Sequence, residues 1–128
     1  MSRAKVLIID DEPSVADALK TILEDHGYET ATAHTGGAGL EQSASQCFDL
    51  TITDYQLPDM SGLDVLAAMR VRAAACPVII ITAYASPELR AVAVERGALE
   101  VLTKPFQPSD ILTLVAQALA QRAAQPAE

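Results

Sequence analysis

The stretch that decides the fold is Lys5-Val-Leu-Ile-Ile-Asp-Asp11, an apolar run that ends in two aspartates. A second run of the same kind, Leu50-Thr-Ile-Thr-Asp54, ends in a third aspartate. Short apolar runs of this length predict strands that are covered on both faces, as in a parallel sheet. A carboxylate at the end of a buried strand contributes nothing to a core and needs a partner to be tolerated there. The two runs therefore predict a parallel sheet with a charged site at its edge.

Strand-like and helical patterns alternate along the chain. Three further strand-like runs cover 29–33, 78–82 and 101–103, and a helical pattern follows each of the five strands. This alternation is typical of parallel strands joined by crossover helices. We predict an α/β fold of the flavodoxin-like, doubly wound kind, with five parallel strands in the order 2-1-3-4-5 and five helices. The second helix is expected around 38–44, after the turn signal Gly36-Gly37.

The composition indicates one domain with an aliphatic core. Half of the 128 residues are hydrophobic but only 4% are aromatic, and we predict a single domain over 1–122, with 123–128 as a tail or the start of a linker. The net charge of -8 disfavours direct contact with nucleic acid and with anionic membranes. Neither a signal peptide nor an apolar stretch of membrane-spanning length is recognisable, which predicts a cytoplasmic location. Cys47 and Cys76 stand in no metal-binding spacing and are expected to be free thiols.

Polar side chains follow four strands that are neighbours in the predicted order. Asp10 and Asp11 follow the first strand, Asp54 the third, Thr82 the fourth and Lys104 the fifth. Because the carboxyl ends of parallel strands meet at one edge of a sheet, these side chains are expected to converge. Two carboxylates about 4 Å apart repel by roughly 4 kcal/mol at an effective dielectric of 20, so a cation is needed among them. Hard oxygen ligands favour Mg²⁺, or Mn²⁺ in its place, and the lysine and hydroxyl indicate a ligand with negative oxygens, such as a phosphoryl group.

This combination resembles the receiver domains of two-component response regulators. The resemblance also rests on Pro105 after Lys104, and on Pro58 and Gly62 after Asp54, and it covers residues from about 4 to 121. It implies a Mg²⁺-dependent phosphorelay in which Asp54 accepts a phosphoryl group from a histidine kinase or a phosphotransfer protein. It implies that the chain is not otherwise an enzyme: the reactions expected of it are this self-phosphotransfer and a slow autodephosphorylation.

The resemblance also implies a role for each residue of the site. The residues implied to hold Mg²⁺ are Asp10, Asp11, Asp54 and Gln56, the last through its backbone carbonyl. Thr82 and Lys104 are implied to contact the phosphoryl group. The signal is implied to leave through the fourth helix, fifth strand and fifth helix, towards a downstream protein or a covalently linked output domain, and a phosphorylation-linked homodimer is expected as one form of the response.

The chain departs from the family pattern at one position of the switch. Receivers generally carry an aromatic residue three positions before the lysine, and here that position is Val101. A valine cannot make the same ring movement on activation. Tyr84, two residues after Thr82, is a candidate to take over this role in the switch. The alternative is that its ring only packs on the surface.

Other interpretations of the same residues stay open. Taken singly, Asp10-Asp11 could cap a helix and Asp54 could begin an Asx turn. A haloacid-dehalogenase-like phosphatase would need a second aspartate two residues after the nucleophile, where this chain has Gln56. A flavodoxin-like carrier would need a first loop rich in Ser, Thr and Gly, whereas Asp11-Glu12-Pro13 repels anions. A receiver-like interaction module that works without phosphorylation is the remaining alternative.

Overall fold

Five strands alternate with five helices in the computed structural model, which describes residues 3–124. The strands are β1 (Lys5–Ile9), β2 (Glu29–Ala33), β3 (Leu50–Asp54), β4 (Val78–Thr82) and β5 (Glu100–Thr103). The helices are α1 (Pro13–Asp25), α2 (Gly36–Ser45), α3 (Gly62–Arg72), α4 (Pro87–Glu95) and α5 (Pro108–Ala124). All strands pair in parallel in the order β2-β1-β3-β4-β5, which confirms the predicted sheet.

Helices cover both faces of the sheet because successive strand residues point to opposite sides. Leu7 and Ile9 of β1 lie in a core layer with residues of α2, α3 and α4, whereas Val6 and Ile8 lie in a second layer with α1 and α5. Every residue of β3 and β4 is buried. This explains why the interior of β4 is uniformly apolar and why β3 admits only the hydroxyls of Thr51 and Thr53 before its terminal aspartate.

The second helix begins earlier than predicted. It starts at Gly36, after Thr35, whose hydroxyl accepts a hydrogen bond from the backbone N–H of Ala38 at 3.0 Å. Gly36 and Gly37, which argued for a turn, are the first two residues of the helix, and Gly39 allows close packing, since a Cβ there would lie 2.7 Å from Cγ1 of the buried Ile9. Tertiary contact has overridden the low helix propensity of glycine.

The last helix runs past the predicted domain boundary. It continues to Ala124, two residues beyond 122, and the rest of the predicted tail, 125–128, lies outside the described residues. Within 3–124, none of the helices combines the length and the apolar character that a membrane crossing requires.

Replacing Gly39 with Ala is expected to lower the free energy of unfolding by about 1–3 kcal/mol. The new methyl group would overlap Ile9, which outweighs the gain of about 1 kcal/mol that Ala offers over Gly in a helix. Urea unfolding monitored by circular dichroism measures the change. Ser45→Ala, at an exposed position of α2, is the control and is expected to stay within about 0.5 kcal/mol of the wild type. Stabilisation by Gly39→Ala would contradict the close-packing explanation.

Candidate functional site

A pocket of about 320 Å³ opens at the carboxyl end of the sheet. The residues that line it are Asp11, Glu12, Asp54, Gln56, Leu57, Pro58, Thr82, Ala83 and Lys104. Of the six site residues predicted from the sequence, five therefore share this pocket. The sixth, Asp10, is fully buried and lies within ion-pair distance of Lys104. The strand order thus brings the chemistry-bearing side chains to one place.

Lys104 connects the carboxylates of the site. Its Nζ lies 3.0 Å from Glu12 Oε1, 3.2 Å from Asp10 Oδ2 and 3.3 Å from Asp54 Oδ2. Burial alone would lower the pKa of Lys104, but the hydrogen bond to Glu12 and the charges of Asp10 and Asp54 together raise it. Lys104 follows β5, its backbone N–H donates to the carbonyl of Thr82 at 2.7 Å, and its peptide bond with Pro105 is cis. One ammonium group faces three carboxylates, so a surplus of negative charge remains when all three are ionised.

The two inner carboxylates are in an unfavourable environment for their charge. Burial is the main cause that raises the pKa of Asp54, and the nearby charge of Asp10 raises it further. The pKa of Asp10 is raised as well, again mainly by burial, although the backbone N–H of Glu12 donates to its Oδ1 at 2.9 Å and Lys104 partly compensates. Both groups would gain from a further positive charge at short range.

The donor set fits a hard divalent cation. Carboxylate oxygens of Asp10, Glu12 and Asp54 lie within 4.8 Å of one another. Asp10 Oδ2 is buried, and its interaction with Lys104 Nζ at 3.2 Å is an ion pair that lacks regular hydrogen-bond geometry. Carboxylate oxygens at this spacing are the ligands that Mg²⁺ and Mn²⁺ prefer.

Glu12 belongs to this cluster although the sequence analysis did not select it. The exposed Asp11, which was selected, lines the pocket but is not among the three convergent carboxylates. The available signal was the run of three acids, Asp10-Asp11-Glu12. Which of its members turn towards Lys104 depends on the path of the chain between β1 and α1, and that path is not readable from composition.

The residues proposed for switching occupy contrasting environments. Thr82 is 3% exposed at the end of β4, and its Oγ1 accepts a hydrogen bond from the backbone N–H of Tyr84 at 3.2 Å. The side chain of Tyr84 is 81% exposed. Val101 is buried in β5 beside Ile80 of β4. A hydroxyl facing the pocket is thus joined directly to the backbone of the loop that leads to α4.

Known proteins share the sequence pattern over nearly the whole chain. A family model described as the response regulator receiver domain matches residues 6–116. The response regulator protein PilR of Pseudomonas aeruginosa is 40% identical over 122 residues, which are 95% of this chain and 27% of that protein. The transcriptional regulatory protein KdpE of Mycobacterium tuberculosis is 39% identical over 119 residues, which are 93% of this chain and 52% of that protein. The chain therefore spans between about a quarter and about half the length of these relatives.

Solved structures of receiver domains also superimpose closely on this chain. A CheY-like response regulator receiver domain protein from Methanospirillum hungatei JF-1 superimposes with a TM-score of 0.91 at 34% identity, covering 95% of this chain and 98% of that one. The beryllofluoride-activated NtrC4 receiver domain dimer gives a TM-score of 0.89 at 30% identity, covering 92% of this chain and 98% of that one.

Replacing Asp54 with Asn is expected to raise the free energy of unfolding of the cation-free protein at pH 7. The pKa of Asp54 is higher in the folded than in the unfolded chain, so folding favours its protonated form. Its charge therefore destabilises the fold above that pKa, and the advantage of Asn shrinks as the pH falls towards the ordinary aspartate pKa near 3.8. Urea unfolding of both proteins between pH 7 and about pH 4.5, with a chelator present, measures the difference.

Asp17→Asn, at an exposed position of α1, is the control for loss of a surface charge. It is expected to change the free energy of unfolding by less than about 0.5 kcal/mol at either pH. An Asp54→Asn protein that is less stable than the wild type at pH 7 would show that burial of this carboxylate is not unfavourable.

Proposed function

This chain belongs to the response regulator receiver domain family, and we propose that Asp54 is its phosphoacceptor. The observation that supports this assignment is the position of Asp54 at the end of β3, only 6% exposed, with Oδ2 at 3.3 Å from Lys104 Nζ. A carboxylate oxygen there can attack the phosphorus of a phosphohistidine, so that a P–O bond forms as the P–N bond breaks. The product is an acyl phosphate, and the leaving imidazole takes up a proton.

The acidic pocket supports Mg²⁺ as the cofactor, with Mn²⁺ as its substitute. Asp10, Asp11, Asp54 and the backbone carbonyl of Gln56 would hold the ion, with Glu12 as a further carboxylate on the exposed side of the pocket. When bound, Mg²⁺ neutralises charge on the transferring phosphoryl group and orients it. The chain itself supplies the nucleophile, the lysine and a partly closed pocket.

Lys104 and Thr82 are proposed to contact the phosphoryl oxygens of the product. Lys104 would exchange one carboxylate partner for a phosphoryl oxygen, which carries more charge. The Thr82 hydroxyl would turn towards the new oxygens and give up its bond with the N–H of Tyr84. Release of that bond frees the loop before α4 to adopt a second arrangement, and phosphorylation shifts the population towards it.

The signalling face is proposed to consist of α4, β5 and α5. A groove of about 680 Å³ lies on this face, and Arg90, Val94, Val101 and Thr103 are among its lining residues. The buried Val101 offers no ring to exchange, so the rearrangement is assigned to the loop from Thr82 to Ser86. The output is a downstream protein or a linked domain, with a phosphorylation-linked homodimer as one form of the response.

The remaining assignments follow from membership of the family. The phosphodonor is proposed to be a sensor histidine kinase or a phosphotransfer protein, in the cytoplasm. The receiver unit is assigned to 1–122, with α5 continuing to Ala124. Hydrolysis of its own acyl phosphate is the one further reaction proposed, and it is slow because no second aspartate follows Asp54 at the position of Gln56.

Incubation with acetyl phosphate and Mg²⁺ is expected to add one phosphoryl group per chain, on Asp54. Intact-mass spectrometry counts the groups, and borohydride reduction followed by peptide mapping locates the acyl phosphate. Asp54→Asn is expected to stay unlabelled, and Asp17→Asn is expected to be labelled like the wild type. Rapid turnover without accumulation would favour a phosphatase. Absence of labelling in the wild type would favour an interaction module that works without phosphorylation.

Replacing Tyr84 with Ala is expected to shorten the lifetime of the acyl phosphate several-fold, because Tyr84 follows Ala83 of the pocket lining and its ring is proposed to limit the access of water. The loss of phosphorylated protein with time, followed by mass spectrometry after removal of the donor, measures the rate. Val71→Ala, which removes an apolar side chain that is 87% exposed on α3, is the control. An unchanged hydrolysis rate in Tyr84→Ala would remove Tyr84 from the mechanism.

A further inference from the structure

The loop between β3 and α3 closes on itself. The backbone N–H of Leu57 donates to the carbonyl of Met60 at 3.1 Å, and that of Gly62 donates to the carbonyl of Tyr55 at 2.6 Å. Gln56 and Ser61 pair as an isolated antiparallel bridge between these two bonds. The loop therefore behaves as one unit, and a displacement of its tip at 58–59 would move the backbone carbonyl of Gln56.

The tip of this loop is attached to the first turn of α2. Asp59 Oδ1 accepts a hydrogen bond from the backbone N–H of Gly36, and Oδ2 accepts one from Gly37, both at 2.9 Å. These N–H groups have no partner within the helix, and a negative charge is favourable at a helix N-terminus. The bonds from Gly37 and Gly36 lower the pKa of Asp59, so the carboxylate is ionised whenever the site is at work.

Gly36 and Gly37 leave the space that this attachment needs. A Cβ at Gly37 would lie 3.2 Å from Asp59 Oδ2, and one at Gly36 would lie 2.5 Å from Sδ of Met60. Side chains at these two positions would therefore push the loop away from the helix. This explains in physical terms why the helix starts with two residues of low helix propensity.

The same turn also contacts the other acid-bearing loop. His34, which precedes it, donates a hydrogen bond from Nδ1 to the backbone carbonyl of Asp10 at 2.9 Å. The backbone N–H of Asp10 donates to the carbonyl of Ala33 at 3.0 Å. The segment 33–37 thus holds the loop of Asp10 at one end and the loop of Asp54 at the other.

We propose that Asp59 is a positioning residue of the metal site, which acts by fixing the Gln56 carbonyl through its two hydrogen bonds to α2. The inference rests on the proposed function, because it takes that carbonyl as a ligand of Mg²⁺. Asp59 itself points at α2 and has no contact with the reacting groups. The ordinary alternative is a helix cap, which would affect stability alone.

Affinity for Mg²⁺ separates these two roles. Asp59→Ala is expected to weaken Mg²⁺ binding about tenfold, the size of effect seen for residues that orient metal ligands. Asp59→Asn, which keeps one acceptor oxygen, is expected to fall between Ala and the wild type. Asp110→Ala is the matched control, since it also removes an exposed carboxylate that accepts a backbone N–H, here that of Gln107 at 3.0 Å. Isothermal calorimetry with Mg²⁺ alone measures all four proteins.

Labelling by acetyl phosphate supplies a second readout. In Asp59→Ala, the Mg²⁺ concentration for half-maximal labelling is expected to rise by the same factor, while the maximal rate at saturating Mg²⁺ stays near that of the wild type. If Asp59 were only a helix cap, Asp59→Ala would lower the denaturant midpoint of unfolding. It would leave the Mg²⁺ affinity and the Mg²⁺ concentration for half-maximal labelling unchanged. Equal Mg²⁺ affinity in wild type and Asp59→Ala would overturn the proposal.

Amide hydrogen exchange tests the attachment independently of the metal. In Asp59→Ala, the amides of Leu57 and Gly62 are expected to exchange at least several-fold faster than in Asp110→Ala, at equal global stability. Unchanged exchange at these amides would also overturn the proposal. A wild-type chain that binds no Mg²⁺ would instead count against the proposed function, while the exchange rates would still decide whether Asp59 holds the loop.

Discussion

Burial of two neighbouring carboxylates is the constraint on which the rest of the structure depends. Asp10 is fully buried, Asp54 is 6% exposed, and burial is the main cause that raises the pKa of each. Lys104 contacts both, but a single ammonium group cannot balance them together with Glu12. The remainder of the fold offsets this cost, since burial of each large aliphatic side chain contributes about 1.5–3 kcal/mol.

The unfavourable charge is also what makes the site useful. A pocket with surplus negative charge can attract a divalent cation, and in the proposed function this cation would allow an anionic phosphoryl donor to approach a carboxylate. Metal binding would then be linked to folding, because the ion would relieve the repulsion between the buried carboxylates. The loops around the pocket are held by hydrogen bonds to backbone groups, through Asp59 and His34 at the β2–α2 turn on one side and from Lys104 to Thr82 on the other. Such bonds fix positions without filling the pocket.

Much of this could be predicted from the sequence because its strongest signals are local. Short strand-like runs between helical patterns predict a parallel sheet, and the sheet brings the strand-end residues Asp54, Thr82 and Lys104 to one edge. The start of α2 was predicted two residues late, since glycine propensity is local while the Asp59 carboxylate that accepts from the backbone N–H groups of Gly36 and Gly37 lies on another loop. Glu12 was missed because its partner in the site, Lys104, is 92 positions away in the chain, and a local pattern carries no sign of that contact.

The most direct test is a carbon-13 NMR titration of the aspartate carboxyl groups, with Asp54→Asn used to assign the resonance of Asp54. Without divalent cations, we predict that the pKa of Asp54 lies above the ordinary aspartate value near 3.8, and that saturating Mg²⁺ lowers it. A pKa at or below the ordinary value in the cation-free protein, or one that Mg²⁺ leaves unchanged, would contradict the claim that unfavourable buried charge organises this site.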